Sequence, residues 1–137
     1  MALPIVETCQ EGESSGGDPR TQVWKKMWHL NLLAKIRIFA WRACMNALPT
    51  MLNLRTRGVY TDANCPICDQ CIENTSHALL DCDTPRSVWS MWSGCLTFLE
   101  NKQAEIVDVA LSIINNGSSR DLDTFFVTSW YLWYNRN

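Results

Sequence analysis

Apolar residues recur at spacings of three and four along most of this chain, which is the period of an α-helix packed on one side. In VWKKMWHL, Val23, Trp24, Met27 and Trp28 fall on one face, with Lys25 and Lys26 opposite. From Leu33 to Leu48 the stripe is Ile36, Phe39, Ala40, Ala43 and Ala47, while Lys35, Arg42 and Asn46 share the far face. Pro49 is expected to break this helix. Thr50 then reads as the N-cap of a short helix, MLNLRTR, closed by Gly58 at the C′ position.

The second half continues in the same period. Thr84 and Pro85 form a start signal of N-cap and first helical residue, followed by Val88, Trp89, Trp92 and Leu96 on one stripe. A further helix is expected from roughly Gln103 to Asn115, ended by NNGSS. The last begins near Arg120, with Leu122, Phe125, Phe126, Trp130 and Trp133 aligned. Strand-like alternation is weak throughout, with at most a short extended piece at Val59 to Asp62. The expected class is mainly α. Tryptophans at helical spacing usually pack in a core, so Trp28, Trp41, Trp89 and Trp130 are read as core residues. Residues 8–21 (TCQEGESSGGDPRT) read as a flexible, disordered lead-in, with the folded domain starting near Gln22.

Composition narrows the class. A chain of 137 residues with 47% hydrophobic content can bury a core as one domain, with or without a tail. No apolar run approaches the roughly 18 residues a membrane span needs, so no membrane association is expected. The start, MALPIVETCQEGESSGGDPR, lacks a basic segment followed by an apolar one, so no export signal is expected and the compartment reads as cytoplasm or nucleus. There, seven cysteines point to reduced thiols or metal ligands and not to a disulfide framework.

The net charge of −2 conceals an asymmetry: Arg20 to Gly58 holds eight basic residues and no acidic one. Such a segment suggests a polyanionic partner, although helix faces bathed in solvent or paired with the acidic half would read the same way. The residues expected to meet nucleic-acid phosphates are Lys35, Arg37, Arg42, Arg55 and Arg57.

The chemistry concentrates in CPICDQCIENTSHALLDC, residues 65–82, with four cysteines and a histidine where a tetrahedral metal needs four ligands. Cys65 and Cys68 supply a C-x2-C turn around Pro66 and Ile67. The second pair comes from Cys71, His77 and Cys82. A C-x2-C-x2-C run is familiar from iron–sulfur ligation, but the fourth cysteine and proline that pattern wants soon after are missing. The spacing of His77 to Cys82 suits a closing zinc pair. Five positions on an α-helix rotate a side chain by about 140°, so Cys82 is expected at or just past the last turn. The most economical zinc site is Cys65, Cys68, His77 and Cys82, with Cys71 left over; buried or free thiols without metal are the alternative. Four protein ligands leave no open position, so the zinc would be structural. Cys9, Cys44 and Cys95 are isolated, the last two reading as small apolar helix residues.

The order of these features resembles a known family. Trp24 and Trp28, then Lys35, Arg37, Phe39, Trp41 and Arg42, then NALPT from Asn46 to Thr50, lead through Asn53, Leu54, Arg57 and Gly58 to Cys65, Cys68, Glu73, His77 and Cys82, with Val88 and Trp89 after them. This resembles the reverse transcriptase zinc-binding domain near the C-terminus of plant non-LTR (LINE-type) retrotransposon polyproteins and their relics. The resemblance covers Val23 to Trp92 and implies the same four zinc ligands; Cys71 departs from it. It also implies a nucleic-acid-binding accessory to a reverse transcriptase. Trp130, Trp133 and Arg136 look like the junction that precedes a ribonuclease H-like domain in relatives, where this chain stops. The expected organisation is a lead-in at 1–21, the zinc-binding-like domain at 22–98 and a C-terminal helical segment at 99–137.

Three functions are open on this basis. The first is a binding module for RNA or DNA, held in shape by zinc. The second is a structural or protein-interaction fragment of a retroelement gene, docking through its aromatic last helix on a reverse transcriptase or ribonuclease H-like neighbour. The third, an enzyme, is disfavoured. With His77 on metal only His29 remains for proton transfer, and no nucleophile elbow, phosphate-cradling glycine loop or HExxH pair occurs. No small-molecule substrate is expected.

Overall fold

The computed structural model describes residues 20–59, 62–92 and 105–136. The helix period sets six α-helices among them: α1 (Arg20–Trp28), α2 (Ala34–Cys44), α3 (Met51–Thr56), α4 (Asp83–Ser90), α5 (Ile106–Asn116) and α6 (Ser119–Arg136), with a π-helical turn at His77–Asp81 before α4. No strand occurs among the described residues; one isolated antiparallel bridge joins Asn64 to Ile72. The protein is mainly α. The lead-in up to residue 19, Cys9, Cys95, Leu96 and the residues just before Glu105 lie outside the described residues, as do Tyr60 and Thr61 of the expected extended piece. Helix α1 takes in Arg20 and Thr21, so it starts two residues ahead of Gln22.

One core draws on nearly every element. Val23 and Met27 of α1, Phe39, Ala40 and Ala43 of α2, Leu79 and Leu80 of the π turn, and Trp89 of α4 are buried in it. Helix α5 contributes Val107, Ala110 and Ile113, and α6 contributes Leu122, Phe125 and Phe126. Helix α6 packs on α2, on α5 and on the π turn, so it touches both the basic half and the cysteine cluster. At the centre, the Trp89 ring lies 5.3 Å from Phe125, and its indole N–H donates to the Leu79 carbonyl at 2.7 Å. A buried tryptophan needs such an acceptor, and here it fastens α4 to the π turn. Arg20 pairs with Glu105 at 2.9 Å and with Asp108 at 3.4 Å; both pairs are exposed and contribute little.

Two tryptophans depart from expectation. Trp28 is 48% exposed and Trp41 is 40% exposed, whereas Trp89 is 1% exposed and Trp130 is half-buried. Trp28 is the last residue of α1, one position past the buried Met27. Trp41 sits off the buried stripe Ile36–Phe39–Ala40–Ala43 by one position.

Helix ends explain the rest of the layout. Helix α2 stops well before Pro49, because Asn46 adopts a left-handed conformation with φ 56°. The Asn46 N–H bonds the Ala43 carbonyl and the Ala47 N–H bonds the Arg42 carbonyl, a Schellman ending closed by asparagine. Helix α3 ends in the same way on Gly58, φ 80°. There the Gly58 N–H meets the Arg55 carbonyl and the Val59 N–H the Leu54 carbonyl. Thr50 caps α3 by accepting from the Asn53 N–H at 3.2 Å. Among the described residues no helix is long and apolar enough to cross a membrane.

Candidate metal centre

The cluster is assembled by two short devices. The first is a hairpin-like pairing in which the Cys65 N–H bonds the Cys71 carbonyl at 2.7 Å and the Glu73 N–H bonds the Ala63 carbonyl at 2.8 Å. Within it the chain turns over Pro66 and Ile67, the Asp69 N–H returning to the Cys65 carbonyl at 2.8 Å. The Ile67 N–H points at the Cys65 sulfur at 3.4 Å. Asp69 takes a left-handed φ of 55°, which acidic side chains tolerate in such turns.

The second device presents His77 and Cys82. The Asn74 side chain accepts from the His77 N–H at 2.7 Å and starts the turn. The Cys82 N–H then bonds the His77 carbonyl at 2.9 Å, an i to i+5 bond that widens the turn by one residue. An ordinary α turn would rotate residue 82 well away from residue 77. The wider turn brings them round to one side, which is the physical reason a four-residue spacer works here. Cys82 is extended, with ψ 158°, and lies just past the turn as the N-cap of α4. The start signal at Thr84 and Pro85 is therefore displaced: α4 begins at Asp83, and Pro85 falls later in its first turn, where its missing N–H still costs nothing.

Cys65, Cys68, His77 and Cys82 are brought together, with one ligand atom from each lying within 4.8 Å of all the others. Cys65 Sγ is 3.8 Å from Cys82 Sγ, and Cys68 Sγ is 3.4 Å from His77 Nε2. Zinc bonds of about 2.3 Å to sulfur and 2.0 Å to nitrogen give tetrahedral edges of roughly 3.8 Å and 3.5 Å. The observed edges fit. Cys65, Cys82 and His77 are buried and Cys68 is half-buried. Cys71 is exposed and stands outside the group.

Electrostatics differ among the ligands. Backbone N–H bonds from Gln70 and Cys71 hold the Cys68 thiol below its ordinary range, with burial opposing them. Burial pushes the Cys82 thiol up, Arg136 acting the other way. Burial, and then the Arg136 charge, push His77 down, so it stays a neutral imidazole fit for ligation. A bound cation would reverse the cost of burying thiolates here. These four residues could hold a metal ion, and three thiols with an imidazole are a soft donor set of the kind tetrahedral sites use.

Two charged side chains border the cluster with only 5% of each exposed: Glu73 and Arg136. Arg136 Nε donates to Glu73 Oε2 at 2.7 Å, and its Nη2 donates to Cys65 Sγ at 2.6 Å. The other Glu73 oxygen accepts from the Met51 N–H at 2.8 Å, at the start of α3. Sequence reasoning noted Glu73 and Arg136 but assigned neither a role. No local signal links residues 71 positions apart.

The five basic residues expected at a nucleic-acid face are spread over α2, α3 and the end of α3. Lys35, Arg42, Arg55 and Arg57 are exposed. Lys35 Nζ lies over the Trp130 ring, 5.1 Å from its centroid. Arg37 is half-buried, with Nη1 reaching the Trp28 carbonyl at 3.5 Å.

Neither a curated protein nor a solved structure matches the chain. The family model for zinc-binding in reverse transcriptase matches residues 10–89, more than half of the chain and all four clustered ligands, and the chain belongs to that family.

Proposed function

We propose that this protein is a non-catalytic zinc module of plant non-LTR retrotransposon type that binds RNA or DNA through its basic helices. The observation that carries the reading is the closed cluster of Cys65, Cys68, His77 and Cys82. Four protein donors saturate a tetrahedral zinc, which then shapes the fold and offers no position for substrate. The hairpin that holds the cluster also sends Glu73 to the first residue of α3. Metal, in this reading, fixes the attitude of the helices that carry Arg42, Arg55 and Arg57. Trp28 and Trp41 stand exposed beside Arg37 and Arg42 and add flat surfaces on which single-strand bases stack. The working compartment is nucleus or cytoplasm, and the natural neighbours are the reverse transcriptase and ribonuclease H-like domains of a parent polyprotein.

The test is a gel-shift titration of the zinc-loaded chain with single-stranded RNA and DNA at several salt concentrations. Log affinity is expected to fall with log salt at about 0.7 per phosphate neutralised. Lys35→Glu with Arg42→Glu should abolish binding and leave the metal in place. No binding at low salt, or binding indifferent to the double substitution, rejects the reading.

A second reading is favoured by one feature of α6. Val127 and Tyr131 are exposed on the rim of a largely apolar groove of about 520 Å³ between α6 and α4, and Tyr134 is exposed one turn on. Such a surface suits a protein partner, so the module would act as an interaction fragment instead.

A further inference from the structure

The family match ends at residue 89, yet the cluster is touched by the last turn of α6, some forty-odd residues later (about 70 Å of helix if the chain ran straight at roughly 1.5 Å per residue). Arg136 divides its guanidinium between Glu73 Oε2 at 2.7 Å and Cys65 Sγ at 2.6 Å. A guanidinium is a flat fork with fixed donor directions, so two such bonds set its position closely. Both partners are buried, Cys65 completely and Glu73 almost so. Glu73 is anchored in turn by the Met51 N–H. A buried ion pair with a free end would be costly; this one has a second guanidinium nitrogen on a metal-ligand sulfur and its second carboxylate oxygen on a helix start.

We propose that Arg136 is a positioning residue of the metal centre, holding the Cys65 thiolate toward the ion and thereby making α6 part of the zinc site. Its Nη2–H donates to a sulfur that, when metal is bound, carries more negative charge than one cation offsets. Three thiolates and a neutral imidazole around a divalent ion leave one net negative charge in a buried place, and a donor there stabilises it. The bond also draws electron density from the sulfur, which weakens it as a nucleophile toward alkylating agents. Metal occupancy and the seating of α6 are consequently one equilibrium: loading the ion tightens the helix, and removing Arg136 loosens the ion. The inference rests on the zinc reading above.

The full chain is loaded with Co²⁺ as a spectroscopic stand-in for zinc, and affinity is measured by chelator competition. Arg136→Ala should still take one metal but bind it about 10- to 100-fold more weakly, as outer-shell losses do. Its sulfur-to-cobalt charge-transfer band should shift, and Cys65 should be alkylated faster in the loaded protein. Arg136→Lys should recover part of the affinity, because it keeps the charge and loses the fork. Glu73→Gln should fall between the two. Leu122→Ala, which thins the packing of the same helix about four turns before Arg136, should lower stability and leave the cobalt spectrum unchanged.

Arg136→Ala with unaltered affinity and band would overturn the proposal. So would a Leu122→Ala variant that shifts the band equally, since the effect would then be general loosening. If Arg136→Ala does not fold, Arg136→Lys and Glu73→Gln decide, and both matching the parent chain overturns it. A parent chain that takes no metal at all defeats the zinc reading as well, a result the variants cannot mimic.

Discussion

His77 and the cysteines make separate demands on solvent conditions. Burial lowers the affinity of His77 for a proton, so the unfolded chain protonates more readily than the folded one. The stability this gives is complete above the unfolded value of 6.5 and is lost as pH falls below it through the folded value. Urea midpoints measured between about pH 8 and pH 5 should therefore drop on the acid side, and His77→Gln should flatten the drop. Thiol reactivity should divide along the same physical lines. Burial pushes the Cys44 thiol up to about 12, so at neutral pH it has almost no thiolate. Among the described cysteines, iodoacetamide on the zinc-loaded protein should modify exposed Cys71 first and leave Cys44, Cys65 and Cys82 slow; rapid labelling of Cys65 or Cys82 would contradict a filled site. Cys71→Ser should keep one zinc per chain, whereas Cys68→Ser should lose most of it, as metal analysis after dialysis would read directly.

Helix ends carry much of the local stability. Gly58 at φ 80° has open space around a would-be Cβ, so Gly58→Ala meets no neighbour and is opposed by backbone conformation alone, at about 1 kcal/mol. Asn46→Ala should cost more in urea unfolding, because Asn46 Oδ1 also accepts from the Thr75 hydroxyl at 2.8 Å. A double-mutant cycle with Thr75→Ala that shows no coupling would mean that this bond contributes nothing. These elements also mark where sequence reading succeeds. Thr50, Gly58 and the cysteine spacing are local signals, each decided within a few residues, and the helices they bound are found. Asn46 matches the period of a helix face, whereas its tolerance of positive φ ends the helix there. Trp28 and Trp41 share the helical period of core residues yet stand exposed, because a stripe says which residues share a face and not which faces acquire a neighbour. The π turn has no sequence signature apart from the spacing it serves. The Arg136 contact, between residues distant in the chain, is visible only once α6 has been laid across the cluster.

The described residues form a core divided among the helices and a cysteine–histidine cluster beside it, joined by Trp89 and by α6. Ligand binding of this kind is folding free energy, on the order of 10 kcal/mol for structural zinc. Chelation should therefore reduce far-UV helicity across the chain and not merely free a loop. Circular dichroism during titration with a strong chelator checks this; full helicity after metal loss would mean the helices hold one another without it. The two spacers of the cage also differ in how they bear changes of length. Between Asp69 and Cys71 the chain is exposed and outside any helix, so an added residue there can bulge into water. Between His77 and Cys82 the spacer is wound into a turn whose girth sets where the last sulfur points. Adding a single residue to that spacer would carry the last thiol roughly another 100° round the coil and out of reach, so one side of the cage is forgiving of insertions and the other is geared like a ratchet.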